Sequence, residues 1–287
     1  MLQQTRVAAV IEHYQEFLRR FPTVQKLARA REASVLAAWS GLGYYRRARM
    51  LHAAVKVIAR ERGGKFPETA KAWQDLPGIG RYTSAAIASI AFGESVAVVD
   101  GNVERVLQRV SGVRLNREKV WSEADRLLDR GRPGDFNQAM MELGATVCTP
   151  RAPQCLMCPV VGMCATRGEM AGLAKQAPQK KREIHYALDL RNGSVFLVQR
   201  PREASLMAGM WELPEIEAPG NHARPVLTVR HSITVTDYTV RVWRENLSDR
   251  GVGEWIRTDR LPRVALTGLA RKILRKAEAV LSDGEVN

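Results

Sequence analysis

Apolar residues in the N-terminal part of the chain recur at helical spacing. Val7, Val10, Ile11, Tyr14, Phe17 and Leu18 fall three and four residues apart, as one face of a helix requires. Val35, Leu36 and Trp39 repeat the pattern, and so do Ala48, Leu51, Val55 and Ile58. Further helices are predicted over Thr83–Ala91, Val103–Val110, Lys119–Leu128 and Phe136–Ala145. Phe21-Pro22, Gly63-Gly64, Pro77-Gly78 and Pro133-Gly134 punctuate them, because Gly and Pro end regular structure.

The pattern changes after residue 170. The stretch Lys175–Arg182 is polar, basic and broken by Pro178, and it reads as a linker over 171–183. β-like runs follow at Tyr186–Leu190 and Val195–Gln199, separated by Arg191-Asn192-Gly193-Ser194. Asn-Gly between two such runs predicts a hairpin. More strands are predicted near Trp211–Leu213, Val226–Arg230, Tyr238–Trp243 and Glu254–Ile256, with a closing helix over Thr267–Leu281. The expected organisation is a helical domain over 1–170 and a smaller α+β domain over 184–287.

Charge narrows the class of partner. Lys plus Arg number 44 against 30 Asp plus Glu, a formal charge of +14 over 287 residues. Such a surplus suits a polyanion, most simply nucleic acid, although a solvated basic surface would give the same count. No uncharged stretch has the length of a membrane span.

Four segments carry candidate chemistry. Leu76-Pro77-Gly78-Ile79-Gly80 opens a helix through Tyr82, so Gly78 and Gly80 would let a phosphate approach the helix N-terminus. The plain alternative is a turn before a helix. Asp100, in Val99-Asp100-Gly101-Asn102-Val103, reads as an N-cap or as a carboxylate at the mouth of a cleft, and the two roles are compatible. Gly41-Leu42-Gly43-Tyr44-Tyr45-Arg46-Arg47 mixes aromatic and basic residues suited to wedging between bases, with core packing expected for one tyrosine. Gln3 and Gln4 offer amides that could fill the gap left by a displaced base.

All four cysteines, Cys148, Cys155, Cys158 and Cys164, lie in one run with spacing C-x6-C-x2-C-x5-C. Nothing at the N-terminus reads as a signal peptide, so a reducing cytosol is expected, where clustered thiols bind metal. Zinc sites of four cysteines usually pair two C-x2-C knuckles, and only one is present. A [4Fe–4S] cube accepts the irregular spacing better, with structural zinc as the alternative.

Taken in this order, Met-Leu-Gln-Gln-Thr at 1–5, Gly-Leu-Gly-Tyr-Tyr at 41–45, Leu-Pro-Gly-Ile-Gly at 76–80, Val-Asp-Gly-Asn-Val at 99–103 and the cysteine run resemble the helix–hairpin–helix DNA glycosylases with an iron–sulfur cluster, in particular the MutY-type adenine DNA glycosylases. The resemblance implies a mainly α glycosylase domain with its helix–hairpin–helix at 76–87 and a [4Fe–4S] loop at 148–164. It implies base excision repair on double-stranded DNA, with adenine mispaired with 8-oxoguanine or guanine as substrate. It makes Asp100 the catalytic aspartate, Asn102 a polar neighbour and Tyr82 a tyrosine beside the reacting sugar. Gln4 and Tyr44 would probe the stack, and the four cysteines would hold the cluster. A monomer in a bacterial cytoplasm, associated with the nucleoid when acting, is expected.

The same resemblance extends to the C-terminal domain. Leu197-Val198-Gln199-Arg200-Pro201 and Gly209-Met210-Trp211-Glu212-Leu213-Pro214 are similar to a Nudix-like domain without the acidic helix of working Nudix hydrolases. It is therefore expected to read the oxidised base, with Thr234 in the His231–Val235 loop offering a hydroxyl.

Two departures matter. Endonuclease III carries a lysine nucleophile where this chain has Tyr82 after Arg81, and tyrosine cannot form a Schiff base. Base removal without strand cleavage is expected, with a bifunctional pyrimidine glycosylase/lyase as the rival enzyme. In the family, Ser-Glu-x precedes Met-Leu-Gln-Gln-Thr, and that Glu protonates adenine. Here its place falls two residues ahead of Met1, so full activity is expected to need an upstream segment. A chain lacking it would be a mispair-binding protein without efficient turnover.

Overall fold

The computed structural model describes residues 1, 7–170, 180–219, 224–233, 236–247 and 252–284. The chain divides into two compact units, Met1–Ala59 together with Gln176–Asn287, and Arg60–Lys175.

The first unit begins with helices α1 (Val7–Arg20), α2 (Val24–Arg29), α3 (Glu32–Trp39) and α4 (Tyr45–Glu61). Thr23 caps α2 by accepting from the Lys26 N–H at 3.1 Å, satisfying a donor that the first turn leaves free. Val10 and Phe17 of α1 bury with Phe21, Val35, Trp39 and Ala48, and the same core takes in Met210 and Ala265 from the C-terminal segment. Val7, Ile11, Tyr14 and Leu18 stay exposed, so the predicted apolar stripe is wider than the face that α1 buries.

The rest of this unit is sheet. Strands β1 (Lys180–Leu188), β2 (Leu190–Arg191), β3 (Ser194–Gln199), β4 (Trp211–Glu212), β5 (Glu215–Ile216), β6 (Leu227–Ile233), β7 (Thr236–Arg244) and β8 (Glu254–Arg257) precede helix α10 (Gly268–Gly284). One sheet runs β5–β1–β7–β6, with β1 parallel to β7, and the other runs β2–β3–β4 with β8 also on β3. Tyr186, Leu197, Val229, Val240 and Val242 bury against Leu269, Ile273 and Leu274 of α10.

The predicted hairpin forms, pairing Leu190 with Val195 and Arg191 with Ser194. Asn192 (φ 48°) and Gly193 (φ 67°) both adopt left-handed backbone, the requirement of the tight turn that matches strand twist. Strand β1, however, starts at Lys180, well ahead of the predicted Tyr186 and inside the stretch read as linker. Lys180–Glu183 is exposed and shows no alternation, so only its pairing with β7, from Lys180 opposite Thr236 onward, makes it a strand. Residues 171–179 lie outside the described residues.

The second unit holds α5 (Ala70–Gln74), α6 (Arg81–Phe92), α7 (Gly101–Ser111), α8 (Arg117–Leu127) and α9 (Pro133–Glu142). A π-helical turn, Leu143–Val147, follows α9, and short 3-10 turns occupy Cys155–Met157 and Val161–Met163. Val103 and Leu107 of α7 pack with Val120 and Ala124 of α8 and with Ala97. Among the described residues no helix is long and apolar enough to cross a membrane.

Asn137 of α9 fixes the extended segment that leads into α7. It is buried, accepts from the Val98 N–H at 3.0 Å, and donates to the Val96 carbonyl at 2.9 Å and to Ser89 Oγ at 3.0 Å. Truncation removes the partner from all three groups, of which the Val98 N–H and Ser89 Oγ are buried. Asn137→Ala is expected to cost about 3 kcal/mol, read as a shifted denaturant midpoint with an unchanged slope.

Candidate active site

Asp100 sits at the N-terminus of α7, half-buried. Its Oδ1 accepts from the N–H groups of Asn102 and Val103, both at 2.8 Å, which is the N-cap geometry that the sequence suggests. Among the described residues its Oδ2 accepts only from Asn102 Nδ2, at 3.1 Å. A carboxylate oxygen has two lone pairs, so Oδ2 keeps acceptor capacity beyond the cap. The cap thus fixes the group in place and leaves one oxygen able to meet a ligand.

Asn102 is itself held. Arg105 Nη2 donates to its Oδ1 at 2.8 Å. Arginine only donates, so the amide oxygen must face Arg105 and the amide nitrogen must face Asp100. Arg105 also donates from Nη2 to the Gly144 carbonyl at 2.6 Å and from Nε to the Cys148 carbonyl at 2.8 Å. Burial lowers its pKa, while the neighbouring Cys148 and Asp100 oppose that shift. An unbroken chain of hydrogen bonds therefore joins the Asp100 carboxylate to the backbone of the first cysteine.

The π-helical turn brings Gly144 against this chain. A Cβ at Gly144 would lie 2.6 Å from Asn102 Cβ and 2.9 Å from its carbonyl oxygen, closer than side chains tolerate. Gly144→Ala must displace Asn102 and with it the Asp100 cap. An overpacking cost of about 1–3 kcal/mol is expected, read as a lowered denaturant midpoint. An unchanged midpoint in Gly144→Ala would show that Asn102 tolerates the shift.

Tyr82, on the first turn of α6, has its pKa raised, chiefly by burial and then by the charge of Asp100. The phenol therefore stays neutral beside the carboxylate, and its hydroxyl lies 3.7 Å from Met141 Sδ. The same helix opens without a side-chain cap at Gly80, and Gly78 takes a left-handed φ of 74°. A Cβ at Gly80 would meet nothing within 4 Å, so the N-terminus of α6 can be approached from outside.

All four cysteines line one cavity, together with Val106, Arg109 and Leu143. Arg109 is 2% exposed and donates to Cys148 Sγ at 3.3 Å, to the Thr149 carbonyl at 2.8 Å and to the Pro150 carbonyl at 3.0 Å. The Arg167 N–H donates to Cys164 Sγ at 3.4 Å. Donors aimed at sulfur suit thiolates, so donor set and surroundings fit a thiolate-ligated group. Among the described residues no three His, Cys, Asp or Glu side chains are grouped to hold a single metal ion.

In the first unit, the loop before α4 presents Tyr44, which is 48% exposed and has φ +48°. Its neighbour Tyr45 is buried, the division expected for the pair. The Arg47 guanidinium lies 5.0 Å from the Tyr44 ring centroid. Gln3, Gln4 and Thr234 lie outside the described residues. Sequence reading missed Arg105, Arg109 and Gly144. For Arg109 the signal was its place three residues after Val106 on the buried face of α7, where a charge needs partners.

Residues 1–129 match the HhH-GPD superfamily base excision DNA repair protein family. The chain is 38% identical over 273 residues to the adenine DNA glycosylase of Homo sapiens, covering 75% of this chain and 50% of that protein. It is 38% identical over 259 residues to the adenine DNA glycosylase of Arabidopsis thaliana, covering 75% of this chain and 41% of that protein. The chain thus spans about half the length of the curated relatives it matches. A solved thermostable thymine-DNA glycosylase superposes with a TM-score of 0.54 at 30% identity, over 58% of this chain and 79% of that one. Endonuclease III bound to DNA shares the fold with a TM-score of 0.52 at 23% identity, over 58% of this chain and 79% of that one. The chain belongs to the HhH-GPD superfamily of base excision DNA repair proteins. The particular relatives it matches there are adenine DNA glycosylases, the family that its motifs resemble.

Proposed function

We propose that this chain is a monofunctional DNA N-glycosylase that hydrolyses the N-glycosidic bond of adenine mispaired with 8-oxoguanine or guanine in duplex DNA. The observation that carries the reading is the Asp100 carboxylate, immobilised by α7 through Oδ1 and left with acceptor capacity on Oδ2. Cleavage of the bond turns the deoxyribose electron-poor, and a fixed anion beside it stabilises that charge without reorganising. Tyr82, neutral beside Asp100, offers the sugar a wall without a nucleophilic amine. Adenine departs with a proton taken up from solvent, and water then attacks C1′ and gives up a proton, leaving an abasic site.

Recognition draws on both units. The open N-terminus of α6 at Gly78 and Gly80 binds a backbone phosphate. Tyr44 wedges into the stack while adenine is extruded, with Gln3 and Gln4 filling the gap. Extrusion costs a few kcal/mol and less at a mispair, which favours the right site. Arg46, Arg49, Arg271, Lys272, Arg275 and His231 line a broad groove in the first unit, matched in charge to a DNA strand. By motif, the chain reads as a helical glycosylase domain over 1–170, a linker over 171–183 and a Nudix-like domain over 184–287, whose Thr234 offers a hydroxyl to the oxidised base. This division follows motifs, whereas the compact units follow packing. Cys148, Cys155, Cys158 and Cys164 hold a [4Fe–4S] cluster, which cross-links the loop and supplies no chemistry at the sugar.

A single-turnover assay on a duplex with adenine opposite 8-oxoguanine tests the reading. Free adenine and an alkali-labile abasic strand are expected, with the backbone intact before alkali. A borohydride-trapped covalent adduct would instead identify a lyase, and tight binding without release a mispair-binding protein.

A further inference from the structure

The loop that presents Tyr44 is tied at both ends to one backbone carbonyl of the C-terminal segment. Ser40, ahead of the loop, is buried and donates from Oγ to the Leu266 carbonyl at 2.7 Å. Tyr45, just past it, is also buried and donates to that same carbonyl at 3.4 Å. Arg271 of α10 donates from Nε to Ser40 Oγ at 3.0 Å. Because arginine has no acceptor, the Ser40 hydroxyl must turn its proton toward Leu266. Tyr45 Oη in turn accepts from the Gly41 N–H at 3.3 Å, and His13 Nε2 lies 3.0 Å from the Ser40 carbonyl.

The carbonyl is not loose. Trp211 of β4 donates to the Ala265 carbonyl and Thr267 donates to the Trp211 carbonyl, both at 2.9 Å, so the segment carrying Leu266 is zipped to the sheet. Thr267 also accepts from the Ala270 N–H at 3.1 Å and starts α10. Between its two anchors the loop takes left-handed backbone at Gly41 (φ 108°), Gly43 (φ 70°) and Tyr44 (φ 48°). A tyrosine held there is strained, and such backbone persists only where its surroundings over-determine it. The surroundings here are the Ser40 node and the bond from Trp39 Nε1 to the Gly43 carbonyl at 3.1 Å.

We propose that Arg271, through Ser40 and the Leu266 carbonyl, is a positioning residue that holds the Tyr44 loop in its wedge conformation, so that the C-terminal sheet and α10 set the geometry with which Tyr44 enters the DNA stack. The inference rests on the reading of Tyr44 as the wedge. Arg271 lines the basic groove as well, so loss of its charge alone could weaken binding, and the test must separate that effect from positioning.

The experiment uses the full chain and a duplex carrying 2-aminopurine beside an adenine–8-oxoguanine mispair, because the emission of this base rises when its stacking is disturbed. The parent chain is expected to raise the emission and Tyr44→Ala to leave it flat. Arg271→Met at saturating concentration is expected to lose at least about half of the rise and to bind about tenfold more weakly. In a Tyr44→Ala background the same Arg271→Met change is expected to weaken binding by less than about twofold, because coupled residues do not add. Ser40→Ala, which breaks the node without touching the groove's charge, is expected to reproduce the loss of emission and stands in should Arg271→Met not fold. Parent-like emission from both variants, or an equal tenfold loss in both backgrounds, would overturn the positioning role. A parent chain that binds the mispair yet leaves the emission flat would instead overturn the reading of Tyr44.

Discussion

Asp100→Asn is expected to bind the mispaired duplex as the parent chain does and to release adenine about a thousandfold more slowly, the upper range for removing one preorganised electrostatic stabiliser. The fold should survive, because asparagine caps helices as well as aspartate does. Its carbonyl can take over both backbone N–H bonds that Oδ1 now accepts. The new amide nitrogen would then face Asn102 Nδ2, which Arg105 prevents from turning over. This donor–donor contact is local, so a stability loss of no more than about 1 kcal/mol is expected. Binding and release measured on the same preparation separate the roles: unchanged binding with collapsed release marks a group that acts on the transition state alone. Parallel losses in both would make Asp100 a structural cap.

The second large effect is expected at the cysteines. Cys148→Ser should yield protein without the broad visible absorbance of an iron–sulfur centre and with little bound iron. Ligand loss couples to folding because the group binds only the folded loop. Cys148 is also where the loop meets the active site, since its carbonyl receives Arg105 Nε at 2.8 Å and its sulfur receives Arg109 Nη1 at 3.3 Å. Loosening it removes partners from the buried Arg109 guanidinium and the half-buried Arg105 guanidinium, and a cost of about 4 kcal/mol or a melting point lower by about 10 °C is expected. A variant that kept its iron, or a parent protein that carried zinc, would contradict the assignment.

Much of the helical part was legible because its signals are local. The Asp100 cap, the Gly78-Ile79-Gly80 turn before α6 and the Asn192-Gly193 hairpin each follow from a few adjacent residues with fixed backbone preferences. What escaped depends on partners distant in sequence. Nothing in Lys180–Glu183 reads as strand until β7 lies beside it. Gly144 looks like an ordinary helix residue until the π-helical turn presses it against Asn102. Arg105 and Arg109 look like solvated charges in a basic chain. Hydrogen bonds to the carbonyls of 144 and 148–150 tie them to the cysteine loop, and Arg105 links that loop to Asn102 and Asp100. The C-terminal domain was readable as strands and a closing helix. The binding of its β4–α10 segment to Ser40 and Tyr45 had no sequence signal, because a backbone carbonyl has no letter in the sequence.

The charge proposed for Asp100 at the sugar can be measured without any bond being broken. A duplex carrying a protonated pyrrolidine in place of the target nucleotide, opposite 8-oxoguanine, mimics the cationic sugar, and a tetrahydrofuran at the same place is its neutral control. The parent chain is expected to prefer the cationic duplex about a hundredfold, and Asp100→Asn to show no preference. Equal preference in the two proteins would mean that the carboxylate does not face the sugar.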